Sequence, residues 1–166
     1  MGPQSSGLVI GIDTGRNMGW GWGINDTLMG CGLWDLIPSE PIKIRIGFGL
    51  PGLPPGKAIV EIPEDRPGNL KGTVNDLLRL GMRAGRAIEW ALFNGHHVRE
   101  IKASEYRGGI SKEMYNKRTL KRLTPPEREL VDAAFQQIPK GRHNDVLDGV
   151  ALFLLEVGRD PNRGIQ

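Results

Sequence analysis

The sequence predicts an α/β domain in which a mixed β-sheet is flanked by helices. Aliphatic segments with strand character dominate the first 62 residues, helical periodicity dominates the remainder, and one further apolar strand lies between the helices. At 166 residues the chain suits one domain with a full core. No apolar run reaches the roughly 20 residues of a membrane span. We therefore predict a single domain at 7–157, a disordered start at 1–6 and a tail at 158–166.

Four strands are predicted before the first long helix. Residues 8–13 (LVIGID) form the first, the glycine-rich segment 18–24 the second, and 31–36 the third. Alternating glycines in the second strand indicate close backbone approach or hairpin pairing with the first. The Pro/Gly-rich segment 37–57 predicts an irregular excursion, in which 42–46 alternates like a short exposed strand. The fourth strand, 58–62, carries Glu61 near its end, as the first carries Asp13.

The remaining elements are mainly helical. Apolar residues at helical spacing predict a helix over 69–94, and 98–101 can add a final strand. Ser111 is a candidate N-cap for a basic helix that runs to 123. Thr124 and Glu127 have the spacing of a capping box, with proline at the first helical position. Asn144 is expected to cap the last helix.

Charge is distributed unevenly along the chain. The formal net charge is only +3, but residues 99–122 contain eight basic and three acidic residues. This run predicts either a solvated helix face or a phosphate-binding surface. The single cysteine, Cys31, cannot form an internal disulfide and suits a reducing compartment.

Four carboxylates stand out because each lies at the end of an element beside apolar residues. Asp13 and Glu61 end strands, and Asp145 and Asp148 lie three residues apart at the start of the last helix. Helix-dipole stabilisation alone would explain the last two. Clustered carboxylates repel unless they share cations, and hard divalent ions with oxygen ligands meet that need. His143 is a further candidate ligand or proton shuttle, with an ordinary loop histidine as the alternative.

Four motifs in order resemble those of the RuvC-type Holliday-junction resolvases. They are GIDTGRNMGWGW, AIVEIP, LGMRAGRAIEWAL and HNDVLDGVALFLL, and they extend from about Gly7 to Leu155. GIDTG alone also resembles the phosphate motif of actin-like sugar kinases, but those enzymes need two such domains and a longer chain. The resemblance implies a ribonuclease H-like fold, a homodimer and a structure-selective endonuclease that resolves four-way or branched DNA.

The resemblance also implies roles for individual residues. Asp13, Glu61, Asp145 and Asp148 would be catalytic ligands of two Mg²⁺ (or Mn²⁺) ions per active site, and Lys112 would touch the scissile phosphate. Lys117 is a weaker match, and the basic run itself supplies the other candidate DNA-binding residues, which with Lys112 and Lys117 are Arg107, Arg118 and Lys121. The sequence departs from the family in two places: segment 37–57 replaces a usual helix, and no aromatic wedge follows Glu61.

Two other functions remain open at this point. The acids alone would equally suit a ribonuclease H-type nuclease for RNA:DNA hybrids, and the basic segment alone would suit a non-catalytic nucleic-acid-binding relative. Gly81 and Gly85 would let two helices approach closely in a dimer, unless they pack on the protein's own sheet. We expect no membrane partner and a location in the cytoplasm of a bacterium or a phage-infected host. No sequence feature identifies a partner branch-migration helicase.

Overall fold

A computed structural model describes residues 7–34, 53–64 and 74–163. The strands are β1 (Leu8–Asp13), β2 (Met18–Ile24), β3 (Thr27–Trp34), β4 (Lys57–Ile62) and β5 (His97–Lys102). The helices are α1 (Val74–Phe93), α2 (Ala103–Arg107), α3 (Lys112–Arg122), α4 (Pro125–Gln137) and α5 (His143–Glu156), with a 3-10 turn at Lys140–Arg142 before α5. The predicted strand at 42–46 and the start of the helix predicted over 69–94 lie outside the described residues.

The strands form one mixed sheet in the order β3-β2-β1-β4-β5. β1 pairs antiparallel with β2, and β2 with β3, whereas β1, β4 and β5 run parallel. β3, β2 and β1 are antiparallel neighbours, and β4 and β5 run parallel to β1. This is the ribonuclease H-like arrangement, and it confirms the predicted fold class. Because β1 and β4 are parallel neighbours, their carboxyl ends meet at the same edge of the sheet.

Side chains alternate between two layers that cover the sheet. Leu8, Ile10 and Ile12 of β1 belong to a core cluster packed against Ala87 and Ile88 of α1. Val9 faces the other way and packs with α5. Successive residues of a strand point to opposite faces, so Asp13, two pleats beyond Val9, lies on the α5 face. β4 has the same pattern, since Ile59 packs with Leu152 of α5.

Helix ends confirm two predicted caps and correct a third. The Ser111 hydroxyl accepts a hydrogen bond from the Met114 amide at 3.2 Å, and Thr124 and Glu127 form the capping box. Asn144 is not a cap, because α5 begins at His143. The 3-10 turn runs directly into α5, with the His143 amide bonded to the carbonyl of Lys140, so the helix starts without a side-chain cap.

The third strand also starts earlier than predicted, at Thr27 rather than residue 31. Ile24 and Thr27 pair directly across a two-residue turn, in which Asn25 has a φ of 57°. Asparagine tolerates this left-handed conformation, so the hairpin closes immediately and β3 begins at once.

Much of one face of helix α1 is not covered by any of the described residues. Leu78 and Met82 are 60% and 61% exposed, and a Cβ atom added at Gly81 or Gly85 would have no described atom within 4 Å. The alternative in which these glycines pack on the protein's own sheet is therefore wrong for the described residues. No described helix is both long and apolar enough to cross a membrane.

Candidate active site

Three aspartates meet where β1 ends and α5 begins. Oxygen atoms of Asp13, Asp145 and Asp148 all lie within 4.8 Å of one another. Asp13 is 4% exposed and Asp148 is 2% exposed, whereas Asp145 is half-buried. The sequence analysis predicted this convergence, and the structure brings these three residues together.

Glycines bring α5 close enough to the sheet to make the cluster. A Cβ atom at Gly19 of β2 would collide with the Asp145 backbone carbonyl, and one at Gly149 of α5 would lie 2.5 Å from the Trp20 backbone. The backbones of β2 and α5 are therefore in contact, and this contact places Asp145 and Asp148 beside Asp13 at the end of β1. The two predictions for the glycine-rich β2, a close backbone approach and a hairpin with β1, are both confirmed.

The buried carboxylates have few partners of their own. Asp13 accepts one hydrogen bond, from the Gly15 amide at 3.2 Å to Oδ1, while its Oδ2 has no hydrogen-bond partner among the described residues. Oδ1 of Asp148 is likewise buried without a described donor. A buried anionic oxygen without a donor is unfavourable, and a cation at this position would satisfy it.

The surroundings disfavour the ionised form of these acids when no cation is bound. Burial, followed by the negative charges of Asp148 and Glu61, raises the pKa of Asp13 well above its usual value. Burial also raises the pKa of Asp148 to about 6, although Lys112 acts in the opposite direction. A divalent cation would reverse these shifts, because it favours deprotonated ligands.

Lys112 projects into the carboxylate cluster. Its Nζ lies 2.5 Å from Oδ2 of Asp148 and 3.3 Å from Oδ1 of Asp145. Burial alone would lower the pKa of Lys112, but the surrounding aspartates outweigh it and raise the pKa. Asn17 donates to the other Asp145 oxygen at 2.9 Å. Lys112, which the family resemblance would place at the scissile phosphate, therefore contacts two of the acids directly.

Glu61 lies beside the aspartates but is held by different partners. Its carboxylate accepts a short hydrogen bond from the Tyr106 hydroxyl, and its two oxygens lie 3.2 and 3.3 Å from Nη2 of Arg107. Burial and the Glu61 charge raise the pKa of Tyr106, which keeps the hydroxyl protonated as the donor. The cluster of carboxylate oxygens within 4.8 Å of one another consists of Asp13, Asp145 and Asp148, and Glu61 is not part of it.

Arg107 and His143 are placed differently from their predicted roles. The Arg107 side chain is 18% exposed, bonds Glu61 and lies over the Tyr106 ring. The His143 ring stacks on Phe135 at 4.0 Å, and its Nε2 lies 2.8 Å from the carbonyl oxygen of Ile138. The structure thus places His143 against α4 and does not bring it into the carboxylate cluster.

The other predicted DNA-binding residues share one face of α3. Lys117, Arg118 and Lys121 line a surface groove together with Arg128 of α4. Lys117 pairs with Glu113 at 2.8 Å, and Arg118 bonds the Asn162 side chain at 3.1 Å. The groove is basic, and helical spacing puts its α3 residues on the side of the helix opposite Lys112.

Sequence reasoning missed several residues around the site. Asn17 orients Asp145, Tyr106 holds Glu61, and Asn162 bonds the Tyr106 carbonyl at 2.6 Å. Their partners lie 128, 45 and 56 positions away along the chain. No local pattern could have identified them.

Comparison with known proteins adds one structural likeness. No model of a protein family and no curated protein matches the sequence. One similar solved structure is that of T. thermophilus RuvC in complex with a Holliday junction substrate. It has 15% sequence identity and a TM-score of 0.46, over 92% of this chain and 97% of that one. The strand order β3-β2-β1-β4-β5 carries the fold assignment.

Proposed function

We propose that this protein is a divalent-metal-dependent endonuclease that cleaves four-way or branched DNA. The observation that carries the proposal is a pair of buried oxygens, on Asp13 and Asp148 beside Asp145, that have no hydrogen-bond partner among the described residues. A fold-stabilising cluster would pair such groups within the protein. Carboxylate oxygens at a sheet edge that have no described donor are suited to bind a cation.

The metal proposed is Mg²⁺ or Mn²⁺, with two ions per active site. Asp13, Asp145 and Asp148 would hold them, with Glu61 on the neighbouring strand as the fourth acid. All four offer carboxylate oxygens, which are the ligands that these ions prefer. When bound, a pair of such ions activates a water and stabilises the leaving oxygen in phosphodiester hydrolysis.

The chain's own residues would position the DNA and the acids. Asn17 orients Asp145, and Tyr106 orients Glu61. Lys112, at the first turn of α3, is proposed to contact the scissile phosphate. Lys117, Arg118 and Lys121, along the α3 groove, are proposed to contact flanking phosphates, which attract such side chains without reading sequence. Arg107 was predicted to join them, but its pairing with Glu61 favours a role beside the acid.

A homodimer is the proposed assembly, and α1 is its proposed interface. Leu78 and Met82 are exposed next to the open positions Gly81 and Gly85. An apolar stripe with small residues allows two copies of one helix to pack closely about a two-fold axis. Two active sites related by that axis could cut opposed strands of a junction. We place this activity in the cytoplasm of a bacterium or a phage-infected host.

Cleavage of three labelled substrates tests the proposal. A four-way junction, a simple duplex and an RNA:DNA hybrid are each incubated with protein and Mg²⁺ or Mn²⁺. We expect cleavage of the junction, and loss of that cleavage by orders of magnitude in Asp13→Asn, which should still bind it. Preferential cleavage of the hybrid would identify a ribonuclease H-type enzyme. Binding without cleavage of any substrate would identify a non-catalytic relative.

A further inference from the structure

Two basic side chains neutralise part of the acidic site, and they differ in how firmly they are held. The Arg107 side chain is 18% exposed, bonds both oxygens of Glu61 and lies over the Tyr106 ring. The Lys112 side chain is 42% exposed, and its terminal ammonium group pairs with Asp145 and Asp148. Arg107 is therefore a fixed partner, whereas Lys112 can leave by rotating its four-carbon stem.

The Lys112 ammonium group pairs with two of the carboxylates that would hold a metal. Nζ is 2.5 Å from Oδ2 of Asp148, and a Mg²⁺ ion would approach the same carboxylate to about 2.1 Å. Asp148 is 2% exposed, so its carboxylate is shielded from bulk water among the described residues. An ammonium and a divalent cation at such spacing repel each other strongly in a poorly hydrated site. A divalent cation held by Oδ1 of Asp148, the oxygen without a described donor, would therefore weaken the Lys112 contact at Oδ2 of the same carboxylate.

We propose that Lys112 is an internal counter-ion that divalent metal displaces. In the metal-free protein it neutralises Asp145 and Asp148; on metal binding its ammonium group leaves those oxygens and becomes available to a DNA phosphate. This inference rests on the proposed function, because it takes the three aspartates to be metal ligands. It adds that Lys112 opposes metal binding until it is displaced, so that metal entry makes the phosphate contact possible.

Metal affinity measured without DNA tests the displacement. Mn²⁺ is titrated calorimetrically into the full chain and into Lys112→Met, which keeps the apolar stem but removes the competing charge. We expect the variant to bind Mn²⁺ at least about tenfold more tightly than the wild type. Lys57→Met is the matched control, since Lys57 is 63% exposed and pairs with Glu156 at the opposite end of β4. Its affinity for Mn²⁺ should equal that of the wild type.

A second measurement uses the unaltered protein, so it does not depend on folding of the variant. Lysines are acetylated briefly with an amine-reactive reagent in EDTA or in Mn²⁺, and each site is quantified by mass spectrometry. We expect labelling of Lys112 to rise severalfold with Mn²⁺, because its amine is released from two carboxylates. Labelling of Lys57 should stay constant.

The outcomes separate this inference from the proposed function. Equal or weaker Mn²⁺ binding by Lys112→Met, or unchanged labelling of Lys112 while Mn²⁺ binds, would overturn the displacement but leave the metal site intact. If neither wild type nor variant binds Mn²⁺, the proposed metal-dependent function fails and the inference fails with it.

Discussion

Glu127 should stabilise the fold through its charge, because four hydrogen bonds converge on its buried carboxylate. The Leu28 and Thr124 amides donate at 2.9 and 2.8 Å, and both terminal nitrogens of Arg159 donate at 2.7 Å. Glu127 is 2% exposed. The carboxylate thus joins the β2–β3 hairpin, the start of α4 and residue 159 beyond the last helix.

The size of this effect follows from the pKa of Glu127. Burial would raise it, but the hydrogen bonds from Arg159 and the two amides outweigh burial and lower it from 4.5 to about 2. Each pKa unit corresponds to about 1.4 kcal/mol, so the ionised group adds about 3 kcal/mol at neutral pH. Because the pKa of the folded state is the lower one, this stability is complete above about pH 5. It declines as the pH falls toward 2, with about half remaining near pH 3.

Urea denaturation of Glu127→Gln across pH measures this contribution. At pH 7 we expect the variant to lose about 3 kcal/mol of unfolding free energy, in the range for breaking one partner of a buried pair. The difference from wild type should shrink as the pH falls below 5. Glu129→Gln, an exposed position on the same helix, is the control and should change stability by less than about 0.5 kcal/mol. A loss below about 1 kcal/mol for Glu127→Gln, or a loss independent of pH, would show that the charge of Glu127 does not stabilise the fold.

Three further predictions concern the site and its surfaces. Gly149→Ala should abolish cleavage and lower the free energy of unfolding, measured in urea or by heating, by about 3 kcal/mol. The reason is that the added methyl group meets the Trp20 backbone rather than a movable side chain. Near-normal stability would show that α5 does not need this contact. Lys121→Ala should weaken junction binding and flatten its logarithmic salt dependence by about one unit, measured by fluorescence anisotropy, whereas an unchanged slope would remove Lys121 from the DNA surface. Leu78→Glu should shift the protein to monomer in sedimentation at micromolar concentration, and a wild type that is already monomeric would contradict the α1 interface.

Sequence patterns predicted the sheet and the meeting of the aspartates because both depend on local order. Aliphatic runs that end in Asp13 and near Glu61 identify strand ends, and the spacing of Asp145 and Asp148 places them on one helix face. The start of α5 escaped prediction because a 3-10 turn, rather than Asn144, begins the helix.

Long-range side-chain pairing was beyond the sequence patterns. The basic character of residues 99–122 predicted a phosphate surface, but Lys112 turns onto the aspartates and Arg107 onto Glu61. Glu127 was predicted only as half of a capping box, whereas Arg159 lies 32 positions later on a segment predicted to be a tail. Such pairs depend on how α2, α3 and the end of the chain pack, which periodicity does not encode.

Anomalous diffraction from crystals soaked in Mn²⁺ locates the metal without depending on activity. We expect an anomalous peak at the edge where β1 ends, within coordination distance of Asp13 and Asp148. We also expect that the peak disappears in Asp13→Asn crystals grown under the same conditions. A map with no peak there at millimolar Mn²⁺, or with peaks only on exposed surface acids, would contradict the assignment of these aspartates as a metal-binding active site.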